Sequence, residues 1–485
     1  MFERFDGTGR TPRSLQITAL RWLQENWKHG NLFALNLPTG VGKSAILRAL
    51  QLQFPGTHGI IPTNALLDQY ADTYPDANVV RGLEHYDCNT ISGQTCKDTR
   101  DEGLKCTDKC ASMQAIRRAR TEPTLFNPFS YYFNVLAGNI EASEHLVIDE
   151  AHRLSESLTS LVDIRLKYTD LGISSLPTSF AEVFSCLSSY REELSSRLRE
   201  TSSGTKKAKL LRRTVTRLNE IQDTIKRSQE NFVYFEESAI RFGRRVQYLA
   251  IQPIRCPKEL LDKFFNQRKS ILLSATMPSS LLAFLGYKAL QYFDSDSPID
   301  PRQRKLTYSP IGATVNFHTS PSKIASWISA HVSAAKSRGV LVHVSYSWQA
   351  KLAPFFPNAL VNTPKNKTAV LRTFRETGGL WLAAGCGEGL DLKDDECRLV
   401  LIPIVIKPHP DDPVVRKQLS LAGGTAYVEG KLLTSIIQQS GRAVRHEGDY
   451  ADIIIGDPAF PRLFLRNAAT MPKSFKDAIQ WGYNV

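Results

Sequence analysis

Leu32-Phe33-Ala34-Leu35-Asn36-Leu37-Pro38-Thr39-Gly40-Val41-Gly42-Lys43-Ser44 runs from a short apolar segment into a glycine-bearing turn, and Ser44 to Leu50 continues at helical spacing. Strand, loop and helix are predicted in that order. Glycines let backbone N–H groups turn inward around a phosphate, and the start of a helix adds partial positive charge. In such a turn Thr39, Gly40 and Gly42 line the phosphates of ATP, Lys43 reaches the β- and γ-phosphates, and Ser44 holds Mg²⁺. The general pattern wants a further glycine five residues before Gly42; this chain has Leu37 there.

The rest of a phosphoryl-transfer site is found downstream. Val147-Ile148-Asp149-Glu150-Ala151-His152 ends an apolar strand in two carboxylates. An acid at a strand end can hold Mg²⁺, and its neighbour can orient the attacking water, so Asp149 takes the first role and Glu150 the second. An isolated Asp-Glu pair is usually a solvated turn; behind a strand and a phosphate loop it reads as chemistry. The transition state also needs positive charge, often an arginine from a second domain. Gln438-Gln439-Ser440-Gly441-Arg442-Ala443-Val444-Arg445 offers two, on one face if the segment is helical.

At 485 residues the chain is long for one core, so two to four domains are expected. Apolar residues make up 42% and charged residues 22%, the balance of a soluble globular protein. No window approaches the ~18 apolar residues of a membrane span, and the start has no secretory pattern, so no membrane partner and a cytoplasmic location are expected. The net charge of +13 favours a polyanion, most commonly nucleic acid.

Four of the eight cysteines, Cys88, Cys96, Cys106 and Cys110, crowd into 23 residues at C-x7-C-x9-C-x3-C spacing. A disulfide framework is not expected in a chain of this kind; a metal site is. Structural zinc usually shows two close pairs, and only Cys106 and Cys110 form one, whereas Fe–S ligation accepts looser spacing. The remaining four, Cys186, Cys256, Cys386 and Cys397, read as ordinary buried thiols.

Taken in order, these motifs resemble those of superfamily 2 helicases, specifically the iron–sulfur branch that includes XPD and DinG. Arg13-Ser14-Leu15-Gln16 is similar to the family's Arg-x-x-Gln, whose glutamine contacts adenine. Pro62-Thr63-Asn64-Ala65-Leu66-Leu67-Asp68-Gln69 resembles motif Ia, which grips DNA backbone, and Ser274-Ala275-Thr276-Met277 resembles motif III. Gly385-Cys386-Gly387-Glu388-Gly389-Leu390-Asp391 is similar to motif V, and the Gln438–Arg445 stretch to motif VI. Arg81 to Cys88 looks like the entry to the family's cluster domain, with Leu83 and His85 where Arg and Asn are usual, and Asn127 to Tyr131 resembles the segment returning to the sheet.

The resemblance implies two RecA-like parallel-sheet α/β lobes, the first interrupted by a small cysteine-cluster domain and a helical arch. The expected organisation is lobe 1 over 1–79, 121–153 and 245–300, the cluster domain over 80–120, the arch over 154–244, and lobe 2 over 301–485. It implies a [4Fe–4S] cluster on the four crowded cysteines, with zinc as the alternative. It gives nucleotide contacts to Arg13, Gln16, Gly389 and Asp391, and catalytic roles to Gln438, Arg442 and Arg445. The implied activity is ATP-dependent 5′→3′ translocation on single-stranded DNA with unwinding of forked duplex, by a monomer serving DNA repair or replication; RNA stays open as a substrate. A translocase that unwinds weakly and a nucleotide-gated nucleic-acid-binding switch are the other readings. Lys206, Lys207, Lys209, Arg212, Arg213 and Arg217 make the arch's most basic stretch, either a solvated helix face or a contact for strand phosphates.

Overall fold

The computed structural model describes residues 11–101, 110–126, 132, 143–241, 244–265, 268–277, 290–313, 315, 318–335, 337–387, 390, 392, 394–444 and 448–481. Strand β1 (Leu32–Asn36) is followed by β2 (His58–Ile60), β3 (Asn78–Val80), β4 (Thr124–Phe126) and β5 (His145–Ile148). Three strands, β6 (Ile164–Lys167), β7 (Phe232–Arg241) and β8 (Arg244–Pro253), form a separate antiparallel sheet. The chain then returns through β9 (Lys269–Ser274) and β10 (Leu290–Asp294) to the first sheet, whose strand order is β10-β1-β9-β5-β2-β4-β3, every pair parallel.

The second sheet is built from β11 (Arg304–Tyr308), β12 (Gly339–Val344), β13 (Leu360–Val361), β14 (Gly379–Ala384), β15 (Leu399–Ile402), β16 (Ala451–Ile455) and β17 (Ile479–Trp481). Its order is β13-β14-β12-β15-β16-β11-β17, again all parallel. These are the two parallel-sheet α/β lobes that the motifs imply. Parallel strands need cover on both faces, which explains their near-continuous apolar runs: Phe33, Leu35, Leu341 and Leu401 are all fully buried. Full burial of such a side chain contributes about 1.5–3 kcal/mol.

The sheet order positions the chemistry. β1, β9 and β5 are neighbours, so the segments leaving their carboxyl ends (residues 37–43, 275–277 and 149–152) emerge side by side, where ligands of open α/β sheets bind. Helix α1 (Ser14–Asn26) buries Ala19, Leu20 and Leu23. Helix α2 (Lys43–Gln53) starts at Gly42, and α3 (Asn64–Thr73) starts at Thr63, whose hydroxyl accepts from Leu66 N at 3.3 Å.

The insertion departs from the helical expectation. Its two long helices, α4 (Phe180–Glu200) and α5 (Lys206–Arg227), are present, capped by the hydroxyls of Ser179 and Thr205. They share a core with the antiparallel sheet, in which Val183, Leu187 and Ile225 meet Phe232, Leu249 and Ile251. β8 runs to Pro253, so this unit continues beyond the expected boundary at 244. On α5, Lys207, Lys209, Arg212, Arg213 and Arg217 are exposed. The second lobe reaches the base of the insertion, where Gln418 Nε2 donates to Ile254 O at 2.7 Å. Among the described residues no helix is long and apolar enough to cross a membrane.

Candidate active site

Gly40 and Gly42 hold φ of 83° and 85°, the left-handed backbone that lets the 37–43 loop curl. Space forces the choice at Gly42 as well, because a Cβ there would sit 2.7 Å from Gln16 Nε2. Gln16 is buried and uses both ends of its amide. Its Oε1 accepts from Arg13 N at 2.8 Å, and its Nε2 donates to Val41 O at 2.8 Å and Gly42 O at 3.1 Å. Arg13 adds a hydrogen bond to Gly40 O. Both residues expected at the nucleotide thus brace the loop backbone. Lys43 Nζ lies 3.4 Å from Leu37 O, across the mouth of the loop, and Ser44 follows in the first turn of α2.

Asp149 stands at the end of β5, buried, with its carboxylate fixed by two donors. Glu150 N reaches Oδ1 at 2.9 Å, and the buried Tyr70 hydroxyl on α3 reaches Oδ2 at 3.0 Å. Burial, then the Asp149 charge, push the phenol's pKa well up, so Tyr70 stays a donor. Burial, then the adjacent Glu150 carboxylate, push the Asp149 pKa up, against the pull of Lys43. Glu150 itself holds φ 49°, a left-handed conformation that costs a non-glycine residue about 1–3 kcal/mol. Its Oε2 is buried without a hydrogen-bond acceptor or donor among the described residues and lies 3.5 Å from His152 Nδ1. Two adjacent carboxylates, one oxygen uncommitted, with a serine hydroxyl on α2, are a donor set of the kind Mg²⁺ takes.

Across the cleft runs α6 (Gly424–Ser440) of the second lobe. Gln438 Nε2 donates to His152 Nε2 at 2.8 Å and to Thr276 Oγ1 at 3.0 Å, and His152 Nδ1 lies 3.0 Å from Ser274 Oγ. One second-lobe amide therefore touches the segments after both β5 and β9. Gly441 closes over the phosphate loop so tightly that a Cβ would lie 3.2 Å from Thr39 Oγ1. Lys431 and Glu156 add an ion pair of 2.6 Å between the lobes. Being exposed, it contributes little to stability. A second cleft of about 520 Å³ lies beside this junction, with Thr63, Arg153 and His152 on one wall and Lys367, Lys431 and Gly385 among those on the other.

Arg442 departs from the expectation. The helix stops at Ser440, so Arg442 lies beyond its end. The buried Arg442 guanidinium donates to Gly387 O, at 2.8 Å from Nε, and to Leu390 O at 3.3 Å, pinning these two residues inside the second lobe. Arg445, Gly389 and Asp391 lie outside the described residues, as do Cys106 and the segment 127–131.

In the cysteine segment, Cys88 N donates to Gln94 O and Cys96 N to Tyr86 O, a local pairing that brings residues 86–88 and 94–96 together. Cys96 and Cys110 are buried with their Sγ atoms 3.5 Å apart. Hydrogen bonds from the Thr99 hydroxyl and from Thr90 N hold the Cys88 thiol below its usual pKa. Thiols in this state are ready ligands for iron or zinc, yet among the described residues no three His, Cys, Asp or Glu side chains converge as a metal site. Cys256, Cys386 and Cys397 are buried thiols and Cys186 is half-buried.

Sequence reasoning quoted His152 without giving it a role and did not find Tyr70. Replacing Tyr70 with phenylalanine removes one of the two donors that aim the Asp149 carboxylate. A loss of about 10–100-fold in apparent Mg²⁺ affinity is expected, the usual cost of losing a ligand's supporting hydrogen bond. Mg²⁺ titration of ATPase rate checks it; an unchanged half-saturating concentration would show that the hydroxyl only packs.

Comparison with known proteins fits this geometry. Residues 10–179 match the family described as type III restriction enzyme, res subunit, and residues 325–478 match the helicase C-terminal domain family. A comparison with curated proteins found no match. Among solved structures the fold is similar to an XPD in its apo form, with TM-score 0.58 and 16% identity, covering 97% of this chain and 100% of that one. It is also similar to S. tokodaii Xpd4, with TM-score 0.56 and 14% identity over 97% and 100% of the two chains. The first match lies over the first lobe and the other over the second, and together they make the chain a helicase, an ATP-hydrolysing enzyme that binds nucleic acid.

Proposed function

We propose that the chain is a DNA helicase that moves 5′→3′ on single-stranded DNA and opens forked duplex. The observation that carries this reading is the Gln438 amide held between His152 and Thr276, which ties the second lobe to the segment bearing Asp149 and Glu150. A change at the nucleotide is thereby felt by the opposite lobe, as a motor requires. Lys43 binds the β- and γ-phosphates, and Glu150 orients the attacking water. Mg²⁺ held by Ser44 and Asp149 would supply charge neutralisation at the phosphates. Arg445 brings positive charge to the transition state. Arg442, tied to Gly387 and Leu390, serves by holding these two residues in place within the second lobe.

The strand runs through the cleft between Thr63 and Lys367, gripped by phosphate contacts and therefore with little sequence preference. The exposed cations of α5 are a further contact for the displaced or entering strand. Polarity comes from the family resemblance. A duplex with a single 5′ overhang is expected to be opened with ATP, and one with only a 3′ overhang left closed, in a strand-displacement assay run beside DNA-stimulated ATPase. Preferential opening of the 3′-tailed duplex would overturn the polarity. Stimulated ATPase without displacement would favour the translocase, and negligible turnover the switch.

Cys88, Cys96, Cys106 and Cys110 hold a [4Fe–4S] cluster, or zinc as the second chemistry. Support comes from their all-thiol character, the facing Cys96 and Cys110 sulfurs and the lowered Cys88 pKa. The segment is too small to fold on its own core, and bound metal would supply that stability. Anaerobically purified protein is expected to be brown with about four irons per chain. Cys96→Ser should lose the colour and strand separation while keeping some ATPase, because the lobes have cores of their own. Stoichiometric zinc without iron would overturn the cluster.

A further inference from the structure

Arg304 opens β11, directly after the connector between the lobes. It is 6% exposed, and its Nε–H is buried without an acceptor. No hydrogen bond or ion pair reaches its guanidinium from the described residues. Burial alone draws its pKa down to about 10, with no acid opposing the shift, so it remains a cation near neutrality. A buried charge without a counter-charge is among the most costly arrangements in a folded protein. The space beside it explains what could offset that cost.

Arg304 faces a cavity of about 20 Å³ at the junction of the lobes. Pro38 and Thr39 of the phosphate loop line one side, Ser295 and Ser297 of the connector another, and Ser474 of the second lobe a third. Among the described residues no acidic one lines it. The volume, little above the roughly 10–15 Å³ that seats one water, takes only the oxygen-bearing edge of a larger anion and no nucleoside. A guanidinium fork beside hydroxyls matches a compact tetrahedral oxyanion, to which Thr39, Ser297 and Ser474 can also donate, while the Ser295 hydroxyl already donates to Asn36 O.

We propose that this cavity binds a phosphate oxyanion through Arg304 and the surrounding hydroxyls, and that its occupancy bridges the two lobes. The oxyanion is either free inorganic phosphate or a phosphate of nucleotide seated at the adjoining loop. Because the walls come from both lobes and the connector, binding favours the arrangement in which the lobes are together. The inference stands on this geometry and not on the roles given to Lys43 or Glu150.

The test uses the full chain. Thermal unfolding is followed in inorganic phosphate and in chloride of equal ionic strength, for the native protein, Arg304→Met, Arg304→Gln and Lys43→Ala. In chloride both Arg304 variants should be at least as stable as the native protein, since an unpaired buried charge has gone. Phosphate should raise the unfolding temperature of the native protein and of Lys43→Ala by several degrees, and of neither Arg304 variant. In the second arm, binding of a slowly hydrolysed ATP analogue is measured for the native protein and Arg304→Met. A phosphate-induced shift that needs Arg304 supports free phosphate as the ligand. No shift with phosphate, but at least a tenfold loss of analogue affinity in Arg304→Met, supports a nucleotide phosphate. Equal responses of native and Arg304→Met proteins to both ligands would overturn the site. So would a phosphate shift that disappears only in Lys43→Ala, which would place the anion at the phosphate loop. Destabilisation of both Arg304 variants in chloride, with their phosphate response intact, would make the arginine structural and overturn it too.

Discussion

Lys43→Ala is expected to abolish ATP hydrolysis, with a fall of at least about 10²–10³-fold in turnover, while the protein stays folded. The lysine's only hydrogen bond among the described residues is the long one to Leu37 O, and its side chain belongs to neither face of the first-lobe core. Losing so weak a contact should cost no more than about 1 kcal/mol of stability. The loop keeps its shape through Gln16 and the two left-handed glycines, which the substitution leaves alone. What disappears is the ammonium that meets the β- and γ-phosphates. Steady-state ATPase, read beside circular dichroism and the unfolding midpoint, separates these effects. Near-normal turnover would remove the loop from the fuel site.

Much of this site could be read from the chain because it is local. The apolar run before the glycine turn, and the one before Asp149, are strands followed by function at their carboxyl ends, and both motif and strand lie within a dozen residues. The same holds for most second-lobe strands, such as Val340–Val344 and Leu399–Ile402, which the structure finds as β12 and β15. What could not be read depends on pairings distant in sequence. Tyr70 meets Asp149 because β2, which leads to α3, lies beside β5, and no local pattern announces that neighbour. The insertion's sheet was hidden for a related reason. Glu236 and Glu237 interrupt the apolar alternation of β7, and both are satisfied by partners elsewhere, Gln247 and Arg165. Its first strand, β6, is four residues long and pairs with β8, more than about 80 residues away along the chain.

Arg442 is a different lesson, because its signal was present. Gly441 stands directly before it, and a glycine after a helical run commonly ends the helix. The structure ends α6 there, turning Arg442 back into its own lobe toward Gly387. Spacing alone would put Arg442 on the helix; the glycine directly before it ends the helix first.

Glu150→Gln should produce the opposite balance from Lys43→Ala, with nucleotide still bound and turnover reduced by about 10²–10⁴-fold, the usual contribution of a positioned general base. Glutamine keeps the size and most of the hydrogen-bonding reach of the carboxylate, so the backbone of residue 150, held at φ 49° by its surroundings, has no new reason to relax. The lost property is charge at an oxygen that is buried, free of hydrogen-bond partners among the described residues, and 3.5 Å from His152. Removing that charge also relieves its repulsion of Asp149, whose pKa Glu150 helps to raise. Asp149 should therefore ionise more readily in the variant, and nucleotide affinity in Mg²⁺ should hold or improve. The variant should consequently accumulate with ATP bound and the lobes joined through Gln438, His152 and Thr276. Equilibrium binding of ATP together with single-turnover hydrolysis measures both halves. A parallel loss of binding and rate would mean that Glu150 holds the loop in shape, and full activity would place the water-activating group elsewhere.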